Sequence, residues 1–173
     1  MREDFGHRIA IDAIRDGERV ELVAGETERS AIAKRLGLLS LDRLEAHVSL
    51  ERDKRRVCAE GRVRAALEQS CVATGEPVAE HVDEPFELVF LPEPRPGRSE
   101  EEVELAQEDC DVVFHDGSAI DLGSAIADTL ALAIDPYPRS AGADSALKEA
   151  GVLNEEQAGP FAALAKLKER GEP

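Results

Sequence analysis

Three cysteines, four histidines and a run of arginines hold most of this sequence's capacity for specific chemistry. His115-Asp116-Gly117-Ser118 gathers the residue types of a hydrolytic triad. A working triad needs its nucleophile, base and orienting acid to converge from separate elements beside an oxyanion site. Neighbours in one Asp-Gly turn cannot do that, so this stretch reads as a turn. His47 and His81 fall on strand faces with no second ligand at a metal-binding spacing. The cysteines, Cys58, Cys71 and Cys110, are odd in number and far apart. A structural zinc wants four ligands with paired short spacings, and here Cys71-Val72-Ala73-Thr74 puts a threonine where a C-x-x-C would have its second thiol. Reduced thiols acting as small hydrophobes are expected, with no catalytic residue, cofactor or metal.

Arg56, Arg62 and Arg64 alternate along one segment, and Arg52, Lys54 and Arg55 precede them. On a strand, alternate side chains leave one face at intervals of about 7 Å, close to the phosphate spacing of a nucleic acid. Contact with RNA through Arg56, Arg62 and Arg64 is one reading. A solvated face interleaved with Glu60 and Glu68 is the other. The whole-chain charge favours the second: 37 acidic residues against 21 basic give a formal net charge of −16, which repels nucleic acid and attracts basic proteins. Aromatic residues are 3% of the chain, too few for base-stacking platforms.

These side chains sit on elements that the pattern also predicts. Arg8–Ile11 and Val20–Leu22 read as strands around an Asp16-Gly17 turn, and Thr27 to Leu38 as a helix. Leu44, Ala46, Val48 and Leu50 alternate with polar residues, as do Val57, Ala59, Gly61, Val63, Ala65 and Leu67. Two such runs joined by Arg52-Asp53-Lys54-Arg55 predict an antiparallel hairpin whose long second strand curves at Gly61. Val78–Val82 and Phe86–Leu91 continue the sheet on either side of Pro85, and Val112–Phe114 is a last strand. Asp121 caps a helix burying Leu122, Ala125, Ile126, Leu130 and Ala133. A short helical piece follows near 145–150, and Pro160 opens another. The expected fold is α+β: a curved, mainly antiparallel sheet or partial barrel of six to seven strands, covered by three to four helices. Residues 1–150 form one domain with an acidic mobile loop near 92–109. Residues 151–173 form a tail with a short amphipathic helix at 160–168.

Uninterrupted apolar runs such as Leu130–Ile134 are far short of the ~20 residues of a membrane span. The charged Met1–Phe5 start has no apolar stretch behind it. A cytoplasmic protein with no membrane partner is expected.

Three stretches together resemble the YceD-like family of large ribosomal RNA subunit accumulation proteins. Gly61-Arg62-Val63-Arg64-Ala65-Ala66-Leu67 running to Cys71 and Glu76-Pro77-Val78 is similar to the family's strand and turn. Ile120-Asp121-Leu122-Gly123, leading to Leu130–Pro136, is similar to its acid-started helix. Gly159-Pro160-Phe161-Ala162-Ala163-Leu164-Ala165-Lys166-Leu167-Lys168 is similar to its C-terminal N-P-F-A-x-L-x-x-L-K. Gly61, Cys71 and Pro77 are the signature residues with a structural role. The chain departs from the pattern at Thr74, where many members carry a second cysteine, and at Gly159, where an asparagine is common. The Cys71–Thr74 form resembles an alphaproteobacterial branch. The resemblance implies a non-enzymatic ribosome-biogenesis factor that supports accumulation of large-subunit ribosomal RNA.

Two modes of action are compatible with such a role. In the first, the acidic surface and the tail residues Pro160, Phe161, Leu164, Leu167 and Lys168 engage a basic ribosomal or rRNA-processing protein. A nine-residue helix is not stable alone and must dock on something, either its own sheet or a partner groove. The acidic stretch 99–111 offers a basic partner further attraction, or serves only solubility. In the second mode, ribosomal RNA itself lies on Arg56, Arg62 and Arg64.

Overall fold

The computed structural model describes residues 5–93 and 111–152. The tail helix expected from the sequence lies outside these residues, as does the expected acidic loop from residue 94 onward, together with Cys110, Pro160, Phe161, Leu164, Leu167 and Lys168; at the loop's expected start, Pro92 still belongs to a strand. The described residues fall into two compact units. Residues 5–69, 79–93 and 111–136 make the first, and residues 70–78 and 137–152 the second.

The first unit is built on β2 (Glu18–Val23), β3 (Ser40–Asp53), β4 (Arg56–Ser70), β5 (Pro77–Pro92) and β6 (Asp111–His115), in that spatial order. β2–β3 and β3–β4 are antiparallel, whereas β6 runs parallel to β5. A separate two-stranded sheet pairs β1 (Arg8–Ala10) with β7 (Ala119–Asp121). The seven strands are therefore divided between two open sheets. β1, near the start of the chain, is not part of the main sheet and pairs with a strand 109 or more positions later. The chain also passes straight through Pro85 as one strand, because the proline is exposed and disturbs no buried contact.

The hairpin of β3 and β4 follows from its alternation. Leu44, Ala46, Val48 and Leu50 face the core, and Val57, Ala59, Val63, Ala65 and Leu67 join them from β4. The two-residue turn places Lys54 at φ 55°, a left-handed conformation that glycine normally takes. Helix α1 (Glu26–Leu36) starts where Glu28 accepts the Gly25 amide at 2.7 Å and ends at Gly37, whose φ of 70° only glycine adopts freely. It begins before Thr27 because this carboxylate satisfies the first free amide. Helix α2 (Leu122–Ala133) is capped by Asp121, which accepts the Ser124 amide at 3.1 Å. Its Leu122, Ile126 and Leu130 are fully buried against the sheet's inner-face residues in one continuous core. In the second unit, the short α3 (Ala143–Glu149) follows the irregular segment 138–140 and a turn.

Candidate functional site

The face of the main sheet turned away from the core carries the predicted arginines. Register across the strands sets Glu21 against His47 and His47 against Arg62. The Arg62 guanidinium then donates to Asp83 on β5, at 2.5 Å to the carboxylate and 3.2 Å to its carbonyl. Arg64 lies opposite Glu45 and reaches the other Asp83 oxygen at 3.4 Å. The hydrogen bond from Arg62 holds the Asp83 carboxyl below the usual carboxylate range. The Glu45 carboxyl is also lowered, chiefly by its hydrogen bond from Arg43, with Arg64 adding to the effect. The row is therefore a ladder of alternating charge, compensated within the chain.

Arg56 stands apart from this ladder. It closes the hairpin opposite Asp53, and neither it nor Lys54 or Arg55 forms an ion pair among the described residues. The tip is held from below: Arg52 donates to the Ile11 carbonyl at 2.7 Å, and buried His115 bonds the Arg55 carbonyl at 2.9 Å. Since His115 Nδ1 accepts the Gly117 amide at 2.9 Å, the neutral ring carries its hydrogen on Nε2 and donates it to Arg55. The turn residue Asp116 accepts from the Ser118 hydroxyl at 2.6 Å and the Ser118 amide at 2.8 Å, and pairs with Arg8. These bonds, the Ser118 hydroxyl foremost, hold its carboxyl well below the usual range. His115, Asp116 and Ser118 thus shape a turn and pin a hairpin.

The residues Gly61, Cys71 and Pro77 fall on β4, just after it and at the start of β5. A Cβ at Gly61 would come within 2.1 Å of the His47 carbonyl oxygen and 2.9 Å of the Phe86 ring, so only glycine fits the backbone approach there. Pro77 opens β5. Cys71 is buried in the second unit, inside the turn that the Cys71 amide closes onto the Glu76 carbonyl at 2.7 Å. The Ser140 amide donates to its sulfur at 3.2 Å, and the Val72 amide ties the same turn to the Pro138 carbonyl. Hydrogen bonds from the Ser140 hydroxyl and amide, and then from Thr74, lower the Cys71 thiol from 9.0 to about 6. Thr74 completes this nest, its hydroxyl 3.2 Å from that of Ser140. Cys58 is also a free thiol, half-buried on β4. No group of three or more metal-ligating side chains is found among the described residues.

The spacing pattern alone could not reveal Asp83 as the partner of Arg62 and Arg64, Ser140 as the cover of Cys71, or His115 as the anchor of the tip. Each is joined to its partner by tertiary pairing. Against known proteins, the family described as large ribosomal RNA subunit accumulation protein YceD matches residues 59–168. The chain belongs to the YceD family. The matched span begins in β4 just before Gly61 and takes in Asp83, Cys71, His115 and α2. The family's name ties it to accumulation of the large-subunit ribosomal RNA. No curated protein and no solved structure matches the chain. Among the described residues, no helix is long and apolar enough to cross a membrane.

Proposed function

We propose that this YceD-family chain is a non-enzymatic ribosome-biogenesis factor that acts in the cytoplasm by binding a basic ribosomal or rRNA-processing protein. The observation that carries the binding mode is the double use of Asp83. By occupying both Arg62 and Arg64, it removes two of the three arginines an RNA contact on this face would need. The remaining surplus of acid, at a net charge of −16, suits a cationic partner. The tail residues Phe161 and Leu164 supply the apolar anchor in this reading.

Depleting the protein in its native cells and profiling ribosomal particles on gradients tests the role. Loss of large relative to small subunits is expected, and an unchanged ratio refutes it. Phe161→Asp with Leu164→Asp in the full chain tests the mode. The variant should fold yet no longer co-purify with ribosomal components, and undiminished co-purification counts against the tail anchor.

A second reading has one observation in its favour. Lys54, Arg55 and Arg56 are consecutive, exposed and without an ion pair among the described residues, and the tip they occupy is braced by His115. Direct contact with ribosomal RNA there predicts an affinity that falls steeply with salt.

A further inference from the structure

β2 is an edge of the main sheet, paired with β3 alone among the described strands. The Ala24 amide donates to the Leu44 carbonyl at 2.9 Å, one step beyond the last register pair, Val23 with Glu45. Antiparallel pairs alternate between bonded and non-bonded, so Leu22 and Val20 direct their backbone groups at β3. The N–H and C=O groups of Arg19, Glu21 and Val23 point the other way. Among the described residues, no backbone group outside the sheet bonds to these three. An open edge of this kind accepts a further strand.

The side chains of the edge select that strand. Arg19 and Glu21 stand two positions apart on the outer face, both exposed, and neither forms an ion pair among the described residues. They differ in this from Arg62 and Arg64, which Asp83 holds. Charged side chains on an edge commonly keep other strands away. Opposite signs two positions apart do the reverse for an antiparallel copy of the same strand. Outward backbone groups must meet outward groups, so Arg19, Glu21 and Val23 are the residues that can form bonded pairs. With the two-fold axis at Val20, Arg19 lies opposite Glu21 of the second copy, and Glu21 opposite its Arg19. Moving the axis to Arg19 or to Glu21 sets that residue against itself, like charge on like. On the other face Val20, half-buried against the core, meets its own copy in a non-bonded pair, where side chains come closest.

We propose that the β2 edge is a self-association surface, on which a second copy of this chain pairs antiparallel about Val20 and continues the sheet through two Arg19–Glu21 crossings. Each copy carries a net charge of −16, and the repulsion between them is screened beyond about 8 Å at physiological ionic strength. The surface uses no tail residue, so it stands or falls independently of the basic-partner reading.

Sedimentation velocity and hydrogen exchange on the full chain, from low micromolar to several hundred micromolar at physiological salt, test the surface. A dimer should form as concentration rises, with exchange slowing more at the Arg19 and Glu21 amides than at Val20 and Leu22. Arg19→Glu and Glu21→Arg each set like charges at both crossings, and each should weaken the dimer about tenfold or more with an unchanged melting curve. Mixing these two variants restores opposite charges in a heterodimer, and Arg19→Glu/Glu21→Arg restores them in a single chain. Both should recover most of the wild-type affinity. A wild type that stays monomeric throughout the range overturns the proposal. So does a dimer that both single variants leave intact, or one that neither the mixture nor the double variant restores. If a single variant melts early, the double variant decides: a dimer of wild-type strength supports the register, and its loss overturns it. Protection of these amides that appears only on adding the protein fraction of large ribosomal subunits assigns the edge to a partner's strand and overturns the second copy.

Discussion

Asp83 on β5 accepts a 2.5 Å hydrogen bond from Arg62 on β4, and the same carboxylate faces Arg64 at 3.4 Å. One acid thereby quiets two arginines on a strand that would otherwise present a basic stripe. Replacing it tests how the surface is set. Asp83→Asn should release both cations while keeping the side chain's size. Binding to a heparin column or to ribosomal RNA should then rise at low salt, with the slope of log affinity against log salt steeper by about 2. An unchanged salt slope would show that the arginines were never restrained.

The same pair carries a pH dependence. The Asp83 carboxyl is lowered in the fold by its hydrogen bond from Arg62. Its contribution to stability is therefore complete above the unfolded carboxylate value, about 3.9. It is lost as pH falls through the lower folded value. Urea midpoints of wild type and Asp83→Asn should differ at neutral pH and converge in strong acid. A constant gap down to the acid limit would remove the pair from the account. The gap itself should be small, because the groups are exposed and screened.

Gly61 should tolerate no side chain. The clash a Cβ would make is with the His47 backbone carbonyl at 2.1 Å, which cannot rotate away, as well as with the more flexible Phe86 ring. Gly61→Ala should cost about 1–3 kcal/mol in urea unfolding. Adding Phe86→Leu relieves only the ring contact, so the double variant should stay destabilised. Full recovery by Phe86→Leu would place the strain on the ring alone.

Local pattern made the β3–β4 hairpin, the Asp121 cap and the exposed setting of Arg56, Arg62 and Arg64 legible, since each is encoded within a few residues. The pairing of β1 with β7 and the parallel run of β6 beside β5 are not encoded that way, because a strand's alternation says which face is buried but not which neighbour it takes. The site was legible only in outline for the same reason. Arg62 and Arg64 read as a basic stripe until the register of β4 against β5 brings Asp83 to them. Cys71 reads as a lone small hydrophobe until Ser140, 69 positions away, covers its sulfur.

His115 should matter for the hairpin and not for chemistry. Leucine at this position would keep most of the buried volume. It would leave the Arg55 carbonyl and the Gly117 amide without their ring partner. His115→Leu should cost about 1–3 kcal/mol, the price of unpaired polar groups. Hydrogen exchange at residues 54–56 should quicken by more than elsewhere on β3 and β4. Uniform quickening along both strands would mean that the tip is not held by this bond.

The Cys71 nest makes the most direct prediction about charge. Donors from the Ser140 hydroxyl and amide and from Thr74 favour the thiolate, so the folded thiol titrates at about 6 while its ordinary value is 9.0. The sign follows from linkage: a group lowered in the fold adds nothing below its folded pKa. Its contribution then grows with pH across the interval up to the unfolded value and is complete above it. The stability of wild type relative to Cys71→Ser should accordingly rise from about pH 6 and level off near 9. The thiolate ultraviolet band should appear with the lower midpoint, and Cys71→Ser should abolish that step. Ser140→Ala removes the hydroxyl but keeps the amide, whose hydrogen bond to sulfur is 3.2 Å, so its midpoint should fall between the two values. A midpoint unmoved by Ser140→Ala would show that the hydroxyl does not hold the thiolate, and the nest would then rest on the backbone and Thr74 alone.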